Sequence, residues 1–202
     1  GGEREHHMFG FDLLSVKERL LRFEEGLEVT SLLLHNDTPV SFSGQFYQLN
    51  DAFFIPPDKD QSCPPIMIGG NGERVILSLA AKYADEWNAI YRTPAQFAEL
   101  NRKLDKLLEK MQRPRESVKR SQMMGLVFGL DQNDLDSQLG GKSTNEFWKK
   151  GMLAGCASQI IEQLEALKNA GVEQVILQWS DLENLNRLEK FSEQLLPNIL
   201  QC

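Results

Sequence analysis

This chain is short of positive charge, of long apolar runs and of paired cysteines, and each shortage argues against a class of function. Its 22 lysines and arginines face 29 aspartates and glutamates, a net charge of -7, and the pI is near 5.1. A protein that grips a phosphate backbone needs a basic face, so nucleic acid is not the expected partner. No apolar run approaches the roughly 20 residues of a membrane span and no leader-like segment opens the chain, so no membrane is expected and the cytoplasm is the expected compartment. Cys63, Cys156 and Cys202 stand far apart; they supply neither a disulfide framework nor metal-ligand spacing, and they read as free thiols with no metal site. A P-loop and a Ser-His-Asp order are missing too. The carboxylates are scattered over helix faces, so no paired general acid and base can be named and the catalytic residues stay unknown.

What is present is an alternation of strand and helix. At 202 residues and 41% hydrophobic, the chain can bury a sizeable core as a single domain over 1–202. Ser15 with Glu18 forms a capping box, and Val16, Leu20, Phe23, Leu27 and Leu34 repeat at helical spacing, which predicts a helix to about Leu34 with one face inward. Asn36, Asp37 and Pro39 end it; Val40, Phe42, Phe46 and Leu49 around Ser43-Gly44 predict a small hairpin outside the main repeat. Pro56, Pro57, Pro64 and Pro65 bracket an irregular linker. Later elements follow the same logic: a helix through Val75, Leu77, Leu79, Ala80 and Tyr83, a strand over Glu86–Ile90, and a helix from Thr93-Pro94 with Phe97, Leu100, Leu104, Leu107 and Met111 inward. Gln122–Phe128 reads as a buried strand, 131–143 as a loop with partial helix, Ala157–Asn169 as a helix ended by Gly171, and Val172–Trp179 as the last strand. Leu182, Leu185, Leu188, Phe191 and Leu195 form the apolar side of a terminal helix that stops before Pro197. The rhythm points to a parallel α/β architecture.

The richest stretch is Pro64–Ile90. Pro65, Ile66, Met67 and Ile68 predict a buried parallel strand, the glycines Gly69, Gly70 and Gly72 leave the following backbone bare, and an amphipathic helix begins directly afterwards. Exposed N–H groups at a helix N-terminus, with the dipole behind them, make a cradle for an anion.

The Pro-Pro-x-x-x-Gly-Gly-x-Gly run, followed by a helix and by Ala84, Asp85, Trp87 and Asn88, resembles the luciferase-like monooxygenase family, the flavin- or deazaflavin-dependent TIM-barrel oxidoreductases. The likeness extends from Glu5-His6 and Phe9-Gly10 through Arg19 and Glu25 to Gly171 and Pro197. It implies an α/β fold, a partial (β/α)8 TIM barrel holding roughly strands five to eight with their helices plus the hairpin insertion. A complete barrel takes about 250 residues, so the chain is expected to be the C-terminal part of one, with the N-terminal strands missing. Its open sheet edges would then favour aggregation or a homodimer.

The resemblance further implies an oxidoreductase that uses a reduced deazaflavin or flavin to transfer hydride or activate oxygen on a small organic substrate. The Ile-Gly-Gly-x-Gly-Glu and Asp-Glu-Trp-Asn wording favours coenzyme F420 over FMN. The alternatives are an FMN-dependent monooxygenase served by a separate flavin reductase, and a non-catalytic barrel relative or fragment. Cofactor binding is expected at Gly69, Gly70, Asn71 and Gly72; Asn71 is the only side chain in the turn able to bond a phosphate or ribityl oxygen. Arg74 could pair with the anion from the first helical turn. Glu5, His6, Trp87 and Asn88 are the expected substrate-pocket residues: the first two in the loop after the family's fourth strand, the others at a strand end on the face where barrel sites gather. Gln178 and Trp179 close the last strand, with packing as their expected role.

Overall fold

The computed structural model describes residues 2–54, 63–181 and 183–199. Contacts divide the chain into two compact units, Gly1–Pro65 and Ile66–Cys202.

In the first unit a short helix, α1 (Glu3–Met8), stands where a loop is expected, and it buries no residue. Helix α2 (Val16–His35) starts as predicted: Ser15 Oγ accepts from the Glu18 amide, and the Glu18 carboxylate accepts from Ser15 N and Oγ. Of its expected apolar face only Leu27 is buried, while Val16 and Phe23 are exposed. So small a unit has too little chain to cover a whole helix face. Strands β1 (Val40–Ser43) and β2 (Gln48–Ala52) form the predicted antiparallel hairpin, with Ser43 opposite Gln48. Its turn is held by Glu25, whose carboxylate accepts the amides of Gln45, Phe46 and Tyr47 at 2.7–3.0 Å.

The second unit is a parallel sheet with helices. Its strands are β3 (Met67–Gly69), β4 (Glu86–Ile90), β5 (Lys119–Phe128), β6 (Leu153–Gly155) and β7 (Gln174–Gln178). β4 lies between β3 and β5, and β5 also pairs with β7 along Ser121–Gly125 and with β6 along Leu126–Phe128, every pairing parallel. Helices α3 (Ile76–Tyr83), α4 (Pro94–Lys110), α5 (Gln132–Leu139), α6 (Thr144–Trp148), α7 (Ala157–Asn169) and α8 (Leu185–Ile199) connect and follow them. One sheet face packs on helices: Trp87 stacks on Phe97 of α4 at 5.3 Å, and Leu77, Leu104 and Met124 are fully buried. Phe128, Trp179 and Phe191 make a second aromatic cluster, with ring centroids 5.1–6.2 Å apart.

Several expectations are corrected here. β3 is covered on one face only: Ile68 is buried and Met67 is 51% exposed, because successive side chains of an edge strand point to opposite faces. α3 begins at Ile76, after a turn over 73–75, rather than directly behind the glycines. In α4 the buried face takes Asn101 and Leu108 beside Phe97, Leu100 and Leu104, Leu107 is half-buried, and Met111 lies past the helix end and is exposed. β5 begins three residues earlier than Gln122, because Arg120 is buried through bonds to Asp105, Asn101 and the carbonyls of Arg115 and Val118. The region 131–143 holds a full helix, α5, capped by Asp131. α8 runs through Pro197 to Ile199; in the last turn a missing N–H forfeits only one bond. Leu182, Pro56, Pro57 and Cys202 lie outside the described residues.

Candidate functional site: the C-terminal ends of the parallel strands

The turn after β3 is built to stay open. Gly70 adopts φ +129, a conformation that side chains resist. Both its backbone groups are tied to β4: its N–H donates to Asn88 O at 2.9 Å, and its carbonyl accepts Trp87 Nε1–H at 2.9 Å. Asn71 turns away from the loop mouth. Its Nδ2 donates to Ile90 O at 2.8 Å and its Oδ1 accepts Ile90 N–H at 3.0 Å, so the amide is used as a strut. A Cβ on Gly72 would meet Ile76 Cγ1 at 2.9 Å.

Beyond this scaffold the N–H groups of Gly72, Glu73, Arg74 and Val75 have no acceptor among the described residues, and Val75 at the N-cap supplies no side-chain bond to α3. The Glu73 carboxylate pairs with Lys103 Nζ at 2.7 Å, a cation it shares with Glu99 at 2.8 Å. The Glu73 and Glu99 carboxylates in turn hold the Lys103 ammonium pKa above its usual value. Arg74 is exposed and has no ion-pair partner among the described residues. The turn therefore presents consecutive amides and one exposed cation, with its single acid drawn toward Lys103, a setting that suits an anion.

The other expected site residues fall in two places. Trp87 is fully buried against Phe97, with its N–H on Gly70 O; it packs the core and braces the glycine turn. Asn88 points to the opposite sheet face, 6% exposed, with Nδ2 donating to Ser121 Oγ at 2.8 Å. Asp85 lashes β3 to β4 by accepting the Ile66 amide at 2.7 Å. In the first unit Glu5 accepts the Gly2 amide and His6 Nδ1 lies 3.0 Å from Gly2 O. His6 also lines an open cleft of about 280 Å³ with Asp12, Arg19, Arg22 and Tyr47.

Tyr91, immediately after β4, was not singled out by sequence. It has φ +51, and its Oη lies 2.5 Å from Gln178 Oε1 at the end of β7. The phenol thus crosses β5 at Gly125, where a Cβ would stand 3.2 Å from the phenol oxygen. Its position one residue past a predicted strand end was the available signal.

With this geometry in view, the comparisons place the chain. Residues 1–173 match the family model described as luciferase-like monooxygenase, and the chain belongs to that family. Solved structures share its fold, a part of the luciferase-like barrel. An F420-dependent secondary alcohol dehydrogenase in complex with an F420-acetone adduct is 18% identical with a TM-score of 0.75, covering 91% of this chain and 63% of that one. An EDTA monooxygenase from Chelativorans sp. BNC1 is 13% identical with a TM-score of 0.76, covering 96% of this chain and 62% of that one. A riboflavin lyase with modified FMN and riboflavin is 12% identical with a TM-score of 0.72, covering 98% of this chain and 61% of that one. The chain thus spans less than two thirds of the length of these structures. No curated protein matches it. Among the described residues no helix is long and apolar enough to cross a membrane.

Proposed function

We propose that this chain serves an oxidoreductase of the luciferase-like class that works with a bound deazaflavin or flavin on a small organic substrate. The observation that carries the reading is the turn from Gly69 to Val75, whose outer amides lack acceptors among the described residues while its inner groups are spent on β4. A cofactor phosphate fits there: Gly69, Gly70 and Gly72 remove side chains from its approach, the amides of Gly72–Val75 donate to it, and Arg74 balances its charge. Asn71 contributes by fixing the turn rather than by direct contact. Asn88 is proposed as a substrate-side residue of the sheet, Trp87 supports the turn from behind, and Glu5 and His6, in the first unit, stay proposed substrate contacts in their own right.

When bound, the cofactor supplies the hydride or the oxygen activation; the chain binds it, orients it and excludes water. The F420-dependent alcohol dehydrogenase and the modified FMN of the riboflavin lyase support the two cofactors in turn. F420 is the first candidate, on the Ile68-to-Glu73 and Asp85-to-Asn88 wording. FMN is the second, and it entails a separate reductase. A cytoplasmic location and pairing with a second copy are part of the same proposal.

Titration of the purified chain with F420 and with FMN, followed by cofactor fluorescence, tests it. Saturable quenching by one of them, competed by inorganic phosphate and lost in Gly70→Val, is the expected result. Quenching by neither would favour the alternative, a non-catalytic relative or a fragment that lacks a complete site.

A further inference from the structure

Tyr91 is held in a costly and crowded way. A tyrosine in the left-handed region is strained, and such residues persist where surrounding structure over-determines them. Two glycines make the room: a Cβ on Gly151 would lie 2.3 Å from Tyr91 C, and one on Gly125 would meet the Met152 side chain at 2.6 Å and the Tyr91 phenol oxygen at 3.2 Å. The Asn71 strut fixes Ile90, the residue immediately before Tyr91. The outcome is a phenol reaching from the end of β4 across β5 to Gln178 on β7, with Met152 beside it.

The hydrogen-bond inventory of this pair is incomplete in an informative way. With Tyr91 Oη donating to Gln178 Oε1, the phenol oxygen keeps a free lone pair and the Gln178 amide keeps its N–H donors; neither has another partner among the described residues. With the amide flipped, it donates to the phenol oxygen and the pair keeps the phenol O–H, one N–H and the amide oxygen, so either arrangement leaves at least one donor and one acceptor. Gln178 is exposed and Tyr91 partly so. The nearest β5 residues on this face, Ser121, Met123 and Gly125, carry no charge, and Lys119, farther back, is engaged by Glu86 and Gln174.

We propose that Tyr91 and Gln178 form a subsite for the hydroxyl group of a neutral, otherwise apolar substrate. A hydroxyl both donates and accepts, so a single such group meets one free position of each kind. A ketone oxygen meets only the donor, and a carboxylate brings a charge that Ser121, Met123 and Gly125 do not balance. The proposal names the substrate class of the site under Proposed function and rests on that reading.

The test uses the full 202-residue chain and three probes on one skeleton, cyclohexanol, cyclohexanone and cyclohexanecarboxylate, titrated by ligand-observed NMR. Cyclohexanol is expected to bind about tenfold more tightly than the other two. Tyr91→Phe and, separately, Gln178→Leu are expected to erase that preference without moving the melting temperature. Two variants from opposite sides keep the test alive if one fails to fold. Equal binding of the probes, binding of none, or a preference that survives either variant overturns the subsite. Titrating F420 and FMN into the same samples separates the two readings. Tyr91→Phe leaves cofactor affinity unchanged if the subsite serves substrate. Wild-type protein that binds cyclohexanol but neither cofactor sinks the oxidoreductase reading alone.

Discussion

Two turns in this protein expose consecutive backbone amides, and they meet opposite fates. In the hairpin of the first unit, Gln45, Phe46 and Tyr47 point their N–H groups at Glu25, and the carboxylate takes all three. After β3, the amides of Gly72, Glu73, Arg74 and Val75 point at no acceptor among the described residues, and the one carboxylate on the turn is drawn off by Lys103. Each turn is a set of fixed partial positive charges. The first carries its anion covalently and is a piece of scaffold; the second leaves its amides open, as the proposed cofactor phosphate requires.

The largest test of that contrast is steric. Valine at Gly72 would meet Ile76 at 2.9 Å and valine at Gly70 would be forced to φ +129. Either should weaken cofactor binding on the order of a hundredfold, the loss of more than one charge-assisted bond; unchanged affinity in a fluorescence titration would remove the distinction between the two turns. Next comes Trp87→Phe, which leaves the Gly70 carbonyl without its indole donor in a partly buried site. A loss of about 2 kcal/mol is expected by denaturant unfolding, with a weaker cradle as its companion.

A smaller effect should follow from phosphate itself. At about ten times its dissociation constant, inorganic phosphate should slow exchange of the amides at 72–75 by about tenfold, while the amides of 45–47 stay as they are. Equal protection in both turns would mean general salt stabilisation.

The smallest effect concerns acid. Burial pushes the Glu25 carboxyl up, but the amides of Phe46, Tyr47 and Gln45 outweigh it and hold the group below the usual carboxylate range. A depressed folded value means that the stabilisation is fully present above the ordinary glutamate pKa of about 4.3 and is lost as pH falls through the lower folded value. The three amide resonances should therefore move together with a midpoint below about 4.3, and Glu25→Gln should abolish the transition.

The elements whose pattern is local were legible in the sequence. β4 and α7 occupy the expected residues, since Glu86–Ile90 is a compact apolar strand and Ala157–Asn169 carries regular helical spacing with Gly171 behind it. What escaped depends on distant partners. Lys119, Arg120 and Ser121 look like loop residues until Asp105 and Asn101 of α4 bury Arg120. β6 is three residues long and exists through its pairing with β5. The glycine turn was visible as a motif, yet the division of its groups into struts and free donors was not. Asn71 could be read as a ligand contact, and only the Ile90 peptide lying opposite shows otherwise. Tyr91 was missed because a left-handed backbone leaves no mark on a tyrosine in sequence.

The same Asn71 sets a clock on the protein. It is followed by Gly72, the order in which an asparagine most readily closes onto the next peptide nitrogen and hydrolyses to aspartate. Deamidation would replace the Nδ2 donor by a carboxylate facing the Ile90 carbonyl and would add a negative charge to the loop proposed to hold the cofactor phosphate. Samples aged warm at alkaline pH should therefore gain one unit of acidity by isoelectric focusing and lose cofactor affinity in step.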